Sequence, residues 1–201
     1  PEIHSEKVEV CPNSAKIIDM RVESSIRDEM RQKYGLPLDK KVFVYGGNLG
    51  KPQGIPFLLK CLKSQIKNLD AFFLIVGDGT EFGKLEQFFR EQKPVNMKLM
   101  KRLPKEDYDR MVAACDIGMI FLDFRFTIPN FPSRLLGYMQ AGLQVLAATD
   151  LNTDIGKVIV DGGFGWWCES NNLEGFNYQI EVAVKSNLQQ LGENSFKYMK
   201  E

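Results

Sequence analysis

The hydrophobic and polar positions of this chain alternate between short apolar runs and longer amphipathic segments. The apolar runs predict buried strands, which span residues 41–45, 71–76, 97–100, 116–122, 144–148 and 165–168. The amphipathic segments predict helices near residues 24–34, 56–67, 105–114, 134–141 and 173–191, with one more after Thr80. A short alternating run at residues 6–11 predicts a further strand. This alternation favours right-handed βαβ units, so we predict an α/β fold on a doubly wound, Rossmann-like parallel sheet.

Turn and capping residues place several of the helix ends. Gly35 closes the first helix, and Pro56 lies in the first turn of the second. Thr80 and Ser133 are predicted N-caps, because a hydroxyl oxygen can accept a hydrogen bond from a free backbone N–H of the first turn. Gly142 ends the helix that begins near residue 134.

The loops that follow the strands hold the candidate chemistry, because ligands of open parallel sheets bind at the carboxyl ends of the strands. The loops at this edge are residues 46–54, 77–80, 101–104 and 123–133. The loop from Gly46 to Gly54 follows an apolar strand and leads into a helix, which is the local shape of a phosphate-binding loop. Its spacing fits neither the dinucleotide fingerprint nor the Walker loop. By itself it is equally compatible with a structural turn.

Length and composition restrict the function classes. A chain of 201 residues is long enough for one well-buried core and too short for two full α/β domains. Its 26 Lys and Arg residues equal its 26 Asp and Glu residues, and 44% of the residues are hydrophobic. Composition therefore favours neither disorder nor a polyanionic partner. We expect one folded domain that does not bind nucleic acid.

The four cysteines and the single histidine exclude several kinds of site. Cys11, Cys61, Cys115 and Cys168 lie far apart with no C-x-x-C pair, so we expect reduced thiols in a cytosolic protein. The thiols of Cys61 and Cys115 fall on predicted core faces and are expected to be inert. With His4 alone, neither a histidine-based zinc site nor a Ser-His-Asp triad is predicted. The sequence predicts no metal and no cofactor.

The chain shows no membrane-spanning segment and no export signal. No apolar run approaches the length of about 18 residues that a transmembrane helix needs. The chain begins at Pro1 with neither a signal peptide nor an initiator methionine, so we expect a piece of a longer protein. The expected location is the cytoplasm, including the inner face of the cell membrane.

The order of the motifs resembles the C-terminal, donor-binding domain of a GT-B-fold glycosyltransferase of family four. This large family of retaining enzymes includes the sugar transferases of bacterial capsule and lipopolysaccharide. The resemblance runs from about Val8 to the end of the chain. Its pieces are Pro12-Asn13-Ser14, Gly46-Gly47-Asn48-Leu49-Gly50, residues 74–79, Leu103-Pro104 leading into Tyr108, residues 114–118 and residues 132–142.

The resemblance implies one half of a two-domain protein. Residues 1–20 would be a junction strand and linker, and residues 21–201 a Rossmann-like domain that binds a nucleotide-diphosphate sugar. The acceptor site and the catalytic groups would lie in an N-terminal domain of about 170 residues that precedes Pro1. The whole protein would transfer a hexose or an amino sugar, without a metal, to a lipid-linked glycan in surface polysaccharide biosynthesis. This piece alone is expected to be inactive.

The resemblance also implies a set of site residues. Backbone N–H groups of the glycine loop and of the helix start at Ser133 would face the diphosphate, with Arg134 or Lys51 adding a charge-assisted hydrogen bond. The nucleobase would lie on the main chain of Arg102 and Leu103. The full implied set is Gly46, Gly47, Asn48, Lys51, Gly77, Arg102, Leu103, Asp123, Pro132, Ser133 and Arg134.

Several positions depart from the family pattern. Asn48 and Gln53 stand where such enzymes often carry an Arg and a Lys on the phosphates. Gly137 and Pro129 stand where the family has its pair of glutamates, the second of which binds the ribose. We therefore expect weaker donor binding than in the family at large, and ribose recognition without a carboxylate at position 137.

Some residues have a structural interpretation beside the functional one. Asp107 and Asp109 resemble a D-x-D metal motif, but acidic residues are also favoured in the first turn of a helix. Asp116 opens a buried strand, and we interpret it as a structural hydrogen-bonding residue rather than a base. One of Trp166 and Trp167 is expected in the core, with the other facing solvent or an interdomain cleft. The aromatic residues that would form a sugar platform or pack on the domain are Phe121, Phe124, Phe126 and Phe131.

Two other functions are weighed against the transferase. A non-catalytic, glycosyltransferase-like module that acts through protein assembly would also explain the substituted phosphate positions. A nicotinamide-dependent oxidoreductase would need G-x-G-x-x-G and an acidic residue about 20 residues later. The chain has neither, so this third hypothesis is disfavoured.

Overall fold

The strands form one six-stranded parallel sheet in the computed structural model, which describes residues 16–125, 127 and 131–200. The order across the sheet is β3-β2-β1-β4-β5-β6. This order consists of two βαβ halves that run outward from β1 and β4. The predicted doubly wound parallel sheet is confirmed. The strands are β1 Lys41–Asn48, β2 Ala71–Asp78, β3 Met97–Lys101, β4 Ile117–Phe121, β5 Gln144–Thr149 and β6 Gly165–Glu169.

Helices cover both faces of the sheet. They are α1 Ser24–Tyr34, α2 Ile55–Ser64, α3 Phe82–Gln92, α4 Lys105–Ala113, α5 Arg134–Gln140, α6 Ile155–Asp161, α7 Leu173–Lys185 and α8 Leu188–Tyr198, with a 3-10 helix at Lys51–Gln53. Helices α1, α4, α5 and α6 pack on one face and α2, α3 and α7 on the other. Alternate residues of each strand serve the two cores: Val42 and Val44 point to the first, Phe43 and Tyr45 to the second.

The prediction that the side chains of Thr80 and Ser133 cap helices is wrong. Helix α3 begins one residue later than Thr80 implies, with Glu81 at the N-cap and no side-chain capping bond. Ser133 does occupy the N-cap of α5, but its side chain makes no capping bond. Its backbone is already in the right-handed helical region, whereas an N-cap that bonds to the first turn is usually extended.

The C-terminal third differs most from the prediction. The helix predicted at residues 173–191 is two helices, because Ser186 leaves α7 in an extended conformation and the Asn187 side chain caps α8 by accepting a bond from Gln189 N at 3.1 Å. Helix α6 was not predicted, since its Ile-Gly-Lys-Val-Ile-Val-Asp sequence is short and β-branched. The strand predicted at residues 6–11 and the Pro12-Asn13-Ser14 junction lie outside the described residues.

Arg31 ties α1 to the amino-terminal edge of the sheet. Its side chain is fully buried, with an exposed fraction of 0%. Nε donates to Ala114 O at 2.8 Å, and Nη1 donates to Pro37 O at 2.9 Å and to Lys40 O at 3.1 Å. Nη2 donates to Asp116 Oδ2 at 2.6 Å. All three nitrogens of the guanidinium are therefore used inside the fold.

Asp116 is the carboxylate partner of Arg31 and has the structural role that was predicted for it. We call Arg31 and Asp116 together the anchor. Its Oδ2 also accepts a hydrogen bond from Val42 N at 2.7 Å, at the start of β1. Its Oδ1 accepts from Arg27 Nη2 at 3.1 Å. The carboxylate thus joins α1, β1 and the start of β4 at the edge opposite to the strand ends where ligands bind.

The tryptophans and cysteines serve the core. Trp166 and Trp167 lie on opposite faces of β6, and both are half-buried against the two cores, so neither is fully enclosed as was expected of one of them. Cys61 and Cys115 are buried free thiols, and burial raises the pKa of each above its usual value. In the described parts of the chain, no helix combines the length and the apolar composition required to cross a membrane.

Candidate functional site

A cleft opens at the carboxyl ends of β1 to β4 and has two connected parts. The first part has a volume of about 530 Å³. It lies over the ends of β1 and β2 and the loop after β3. Its lining consists of Gly47, Asn48, Val76, Gly77, Asp78, Arg102, Leu103, Lys105 and Tyr108.

The second part of the cleft has a volume of about 430 Å³ and lies between β1, the end of β4 and the start of α5. Gly47, Asn48 and Tyr108 line both parts, so they mark the junction. The other lining residues of the second part are Gly46, Gln53, Phe121, Leu122, Phe131, Pro132, Ser133 and Arg134.

The glycine loop between β1 and α2 is fixed to its neighbours by backbone hydrogen bonds. Leu49 N donates to Asp78 O at 2.9 Å, and Leu49 O accepts from Glu81 N at 2.9 Å. On the other side, Pro52 O accepts from Asp123 N at 2.9 Å. The loop that forms the common wall of both parts is therefore attached to the loops after β2 and after β4.

Tyr108, from α4, forms the floor of the junction against Gly46. A Cβ atom at Gly46 would lie 1.9 Å from the Tyr108 hydroxyl oxygen, so only glycine leaves room for the ring. Burial raises the pKa of Tyr108 to about 12. The phenol is therefore neutral at physiological pH and presents a hydroxyl at the junction rather than a charge.

Arg134, the first residue of α5, brings a positive charge to the second part of the cleft. Its guanidinium carbon lies 4.5 Å from the centre of the Tyr45 ring. Its Nη1 is shielded from solvent and has no hydrogen-bond partner among the described residues. Burial by itself lowers the pKa of Arg134, but the Tyr45, Tyr138 and Tyr108 phenols favour the charged form and leave that pKa raised. The side chain is therefore a cation with an unused donor.

Comparison with known proteins shows the family. The family described as Glycosyl transferases group 1 matches residues 26–198. The chain belongs to this family. Among curated proteins it is similar to WbjE of Pseudomonas aeruginosa, named a probable glycosyltransferase, with 28% identity over 153 residues that make up 76% of this chain and 38% of WbjE.

Solved structures of glycosyltransferases share the fold. HepE of Anabaena, solved in complex with UDP and glucose, aligns with a TM-score of 0.79 and 18% identity over 98% of this chain and 53% of its own. WaaG, a glycosyltransferase involved in lipopolysaccharide biosynthesis, aligns with a TM-score of 0.68 and 18% identity over 90% of this chain and 49% of its own. This group 1 glycosyl transferase chain thus spans 38% of WbjE and about half of HepE and of WaaG.

Most of the predicted site residues of this group 1 chain meet in the cleft. Those that line it are Gly46, Gly47, Asn48, Gly77, Arg102, Leu103, Pro132, Ser133 and Arg134. The lining does not include Lys51 or Asp123. Lys51 is exposed on the 3-10 helix. Both carboxylate oxygens of Asp123 accept hydrogen bonds from the Arg125 guanidinium at 2.8 Å, and this bonding lowers the pKa of Asp123.

Sequence reasoning missed several residues of the lining as contacts, among them Tyr108 and Gln53. Tyr108 was noted only as part of a motif, and Gln53 only as a departure from the family pattern. The sequence signal for Gln53 was its position just before Gly54, where the family often carries a Lys on the phosphates. No signal in the sequence shows that the Tyr108 ring fills the space that Gly46 leaves.

The acidic and aromatic candidates have mostly structural surroundings. Asp107 pairs with Lys33 at 3.1 Å and Asp109 with Lys105 at 2.6 Å. No group of three or more potential metal ligands occurs among residues 16–125, 127 and 131–200. The aromatic residues divide: Phe121 is buried in the core and also borders the cleft, Phe131 lines the cleft, Phe124 is exposed beside Arg125, and Phe126 lies outside the described residues.

The close approach of β1 and β2 gives a first prediction. A Cβ atom at Gly77 would lie 2.0 Å from the backbone oxygen of Gly47, which has no rotamer by which to move away. We expect Gly77→Ala to cost about 1–3 kcal/mol of unfolding free energy, as overpacking does. Gly137, in α5, has no atom within 4 Å of a built Cβ, so Gly137→Ala is the matched control and should gain about 1 kcal/mol. Urea denaturation followed by circular dichroism measures the unfolding free energy of both variants. Equal stabilities of Gly77→Ala and Gly137→Ala would contradict the prediction.

Proposed function

We propose that this chain is the nucleotide-diphosphate-sugar-binding domain of a retaining, metal-independent glycosyltransferase of bacterial surface polysaccharide biosynthesis. The observation that carries the proposal is the unpartnered Nη1 of Arg134, shielded from solvent in a cleft at the ligand edge of the sheet. A buried donor without an acceptor costs about 1–3 kcal/mol, and more when the group is charged. An anionic ligand in the cleft removes this cost.

The two parts of the cleft match the two ends of such a donor. The first part, between Gly77, Arg102 and Leu103, is the proposed place of the nucleoside. The junction at Gly47 and Asn48 receives the diphosphate, and the second part receives the sugar together with the phosphate that contacts Arg134. HepE, which shares the fold, was solved with UDP and glucose, and this supports a nucleotide ligand of that class.

The proposed chemistry follows from the charge at Arg134. When the glycosidic bond to the phosphate breaks, negative charge grows on the departing diphosphate. A guanidinium already fixed against Tyr45 stabilises this charge without having to reorganise, which is how preorganised donors lower a barrier. The guanidinium thus takes the role that a divalent cation has in metal-dependent transferases.

The remainder of the protein is part of the proposal. The acceptor site and the catalytic groups are assigned to a preceding N-terminal domain, as the family resemblance implies; the chain spans 38% of WbjE, which is consistent with a further domain. The proposed acceptor is a lipid-linked glycan at the inner face of the cell membrane. Involvement of WaaG in lipopolysaccharide biosynthesis supports a surface glycan as the product class.

A panel of nucleotides tests the proposal. We expect the chain to bind one of UDP, GDP or dTDP in isothermal titration calorimetry, with a Kd in the range of about 10 µM to 1 mM. Binding is expected to be this weak because the chain lacks the proposed N-terminal domain, which would contact the other side of the ligand. The same nucleotide should shift the amide resonances of Gly47 and Gly77 in NMR titrations. Sugar transfer is expected only with the complete protein.

A second candidate function is favoured by the neutral side chains at Asn48 and Gln53. In that case the domain is a non-catalytic module kept for protein assembly. The double variant Asn48→Arg/Gln53→Lys separates the two: a nucleotide-binding domain gains affinity, whereas an assembly module gains none. Absence of nucleotide binding by the complete protein and by this variant would leave the assembly module as the function.

A further inference from the structure

Gln53 has an unused hydrogen-bond acceptor beside the second part of the cleft. It is the last residue of the 3-10 helix Lys51–Gln53 and lines this part but not the first. Its Oε1 is shielded from solvent and has no hydrogen-bond partner among the described residues. Such an atom costs free energy in the empty cleft unless a donor occupies the space beside it.

A second amide lies close to this acceptor. A Cβ atom built on Gly50 would lie 3.2 Å from Asn48 Oδ1, 3.3 Å from Asn48 Nδ2 and 3.4 Å from Gln53 Oε1. The two amides therefore lie close together around Gly50, where any side chain on residue 50 would crowd them. We call Asn48 and Gln53 the amide pair.

The surroundings of the amide pair are neutral or positive. Among the described residues, the lining of the second part contains no carboxylate, and Arg134 is its one cation. Phosphate oxygens only accept hydrogen bonds, so they match Arg134 Nη1 and do not match Gln53 Oε1. A hydroxyl or an amide N–H matches Gln53 Oε1, and both occur on hexoses and N-acetylhexosamines.

We propose that the amide pair is the sugar-recognition element of this domain, with Gln53 Oε1 accepting a hydrogen bond from a hydroxyl or N–H group of an uncharged hexosyl group. This inference rests on the proposed function, because it assumes that Arg134 holds the diphosphate of the same ligand. Gln53 is then a specificity-determining residue. A uronic acid is disfavoured, since its carboxylate would face an acceptor atom.

The test compares a nucleoside diphosphate with its hexosyl conjugates. The diphosphate that binds best among UDP, GDP and dTDP is titrated calorimetrically into the chain, followed by its glucose and N-acetylhexosamine conjugates. Gln53→Leu removes the acceptor at nearly constant volume and breaks no hydrogen bond made by Oε1, so the fold is retained. Gln87→Leu makes the same chemical change on the exposed face of α3 and is the matched control.

We expect Gln53→Leu to weaken binding of the preferred conjugate by roughly fivefold, the effect of one hydrogen bond, and binding of the free diphosphate by less than about twofold. Gln53→Glu keeps an acceptor and should retain the preference for the conjugate over the free diphosphate. The control should alter neither affinity. The melting temperature of Gln53→Leu should not fall, which separates lost recognition from lost folding.

Two results would overturn the inference, and they differ from failure of the proposed function. Equal weakening of diphosphate and conjugate by Gln53→Leu would place the amide on the phosphates. A wild-type chain that binds the diphosphate as tightly as every conjugate would show that the sugar is not recognised here. If no nucleotide binds even the complete protein, the proposed function itself fails.

Discussion

Replacing Arg134 by leucine is expected to weaken nucleoside diphosphate binding about 10- to 100-fold, because the ligand then loses a charge-assisted hydrogen bond of about 1.5–3 kcal/mol. The folded state should lose little stability, since the shielded Nη1 makes no hydrogen bond within the described residues. The contact of the guanidinium with Tyr45 is lost as well, but the leucine side chain covers part of the same ring. Calorimetric titration with the best-binding diphosphate measures the effect.

Two controls make this prediction specific. The nucleoside without phosphates should bind equally to wild type and Arg134→Leu, because its binding involves only the first part of the cleft. Arg125→Leu removes an exposed, ion-paired arginine from the same edge of the sheet and should change diphosphate affinity by less than about twofold. If Arg134→Leu binds diphosphate like wild type, the orphaned donor is not a phosphate contact.

Replacing Arg31 by methionine is expected to reduce the unfolding free energy by about 3–5 kcal/mol. The substitution leaves the backbone oxygens of Ala114 and Pro37 and the carboxylate of Asp116 without the guanidinium that they share inside the fold. A chain of this kind has a total stability of about 5–15 kcal/mol, so the loss is a large fraction of it. Urea denaturation followed by circular dichroism gives the value.

Arg27 supplies the matched control for the anchor. Its guanidinium contacts the same carboxylate at 3.1 Å, but its side chain is 30% exposed. Arg27→Met should therefore cost less than about 1 kcal/mol, as partly solvated ion pairs do. Because the anchor lies at the edge opposite to the cleft, Arg31→Met should bind nucleotide normally while it remains folded. Equal losses of unfolding free energy in Arg31→Met and Arg27→Met would contradict the prediction that the buried guanidinium contributes more to stability than the partly exposed one.

The parts of the fold that the sequence predicts best are those in which a single local pattern decides the structure. The apolar runs at residues 41–45 and 71–76 are short and rich in β-branched and aromatic residues, as strands covered on both sides are, and β1 and β2 form there. Gly35 ends α1 in the left-handed conformation that glycine adopts without strain. Helix α6 was missed because its β-branched residues carry no helical pattern, and only packing against β5 and β6 makes them helical.

The site was predicted from loops, and its contacts depend on distances that no loop sequence contains. Most of the predicted residues line the cleft, because the carboxyl ends of parallel strands necessarily meet at one edge. Lys51 and Asp123 were predicted from the same loops, yet Lys51 points to solvent and Arg125 engages Asp123. The 3-10 helix decides that the Lys51 side chain stays out of the cleft, and the neighbouring Arg125 decides the same for Asp123. Binding roles for the residues that do line the cleft stay predictions.

The backbone bonds that hold the glycine loop affect the thermodynamics of any ligand. Ordering a free residue costs roughly 1–2 kcal/mol of conformational entropy. In this loop Leu49 and Pro52 are already bonded to the neighbouring loops, so that entropy is lost when the chain folds rather than when a ligand arrives. Ligand binding at this wall should therefore show a heat-capacity change no larger than the buried ligand surface explains, without the added contribution of a loop that folds around its ligand.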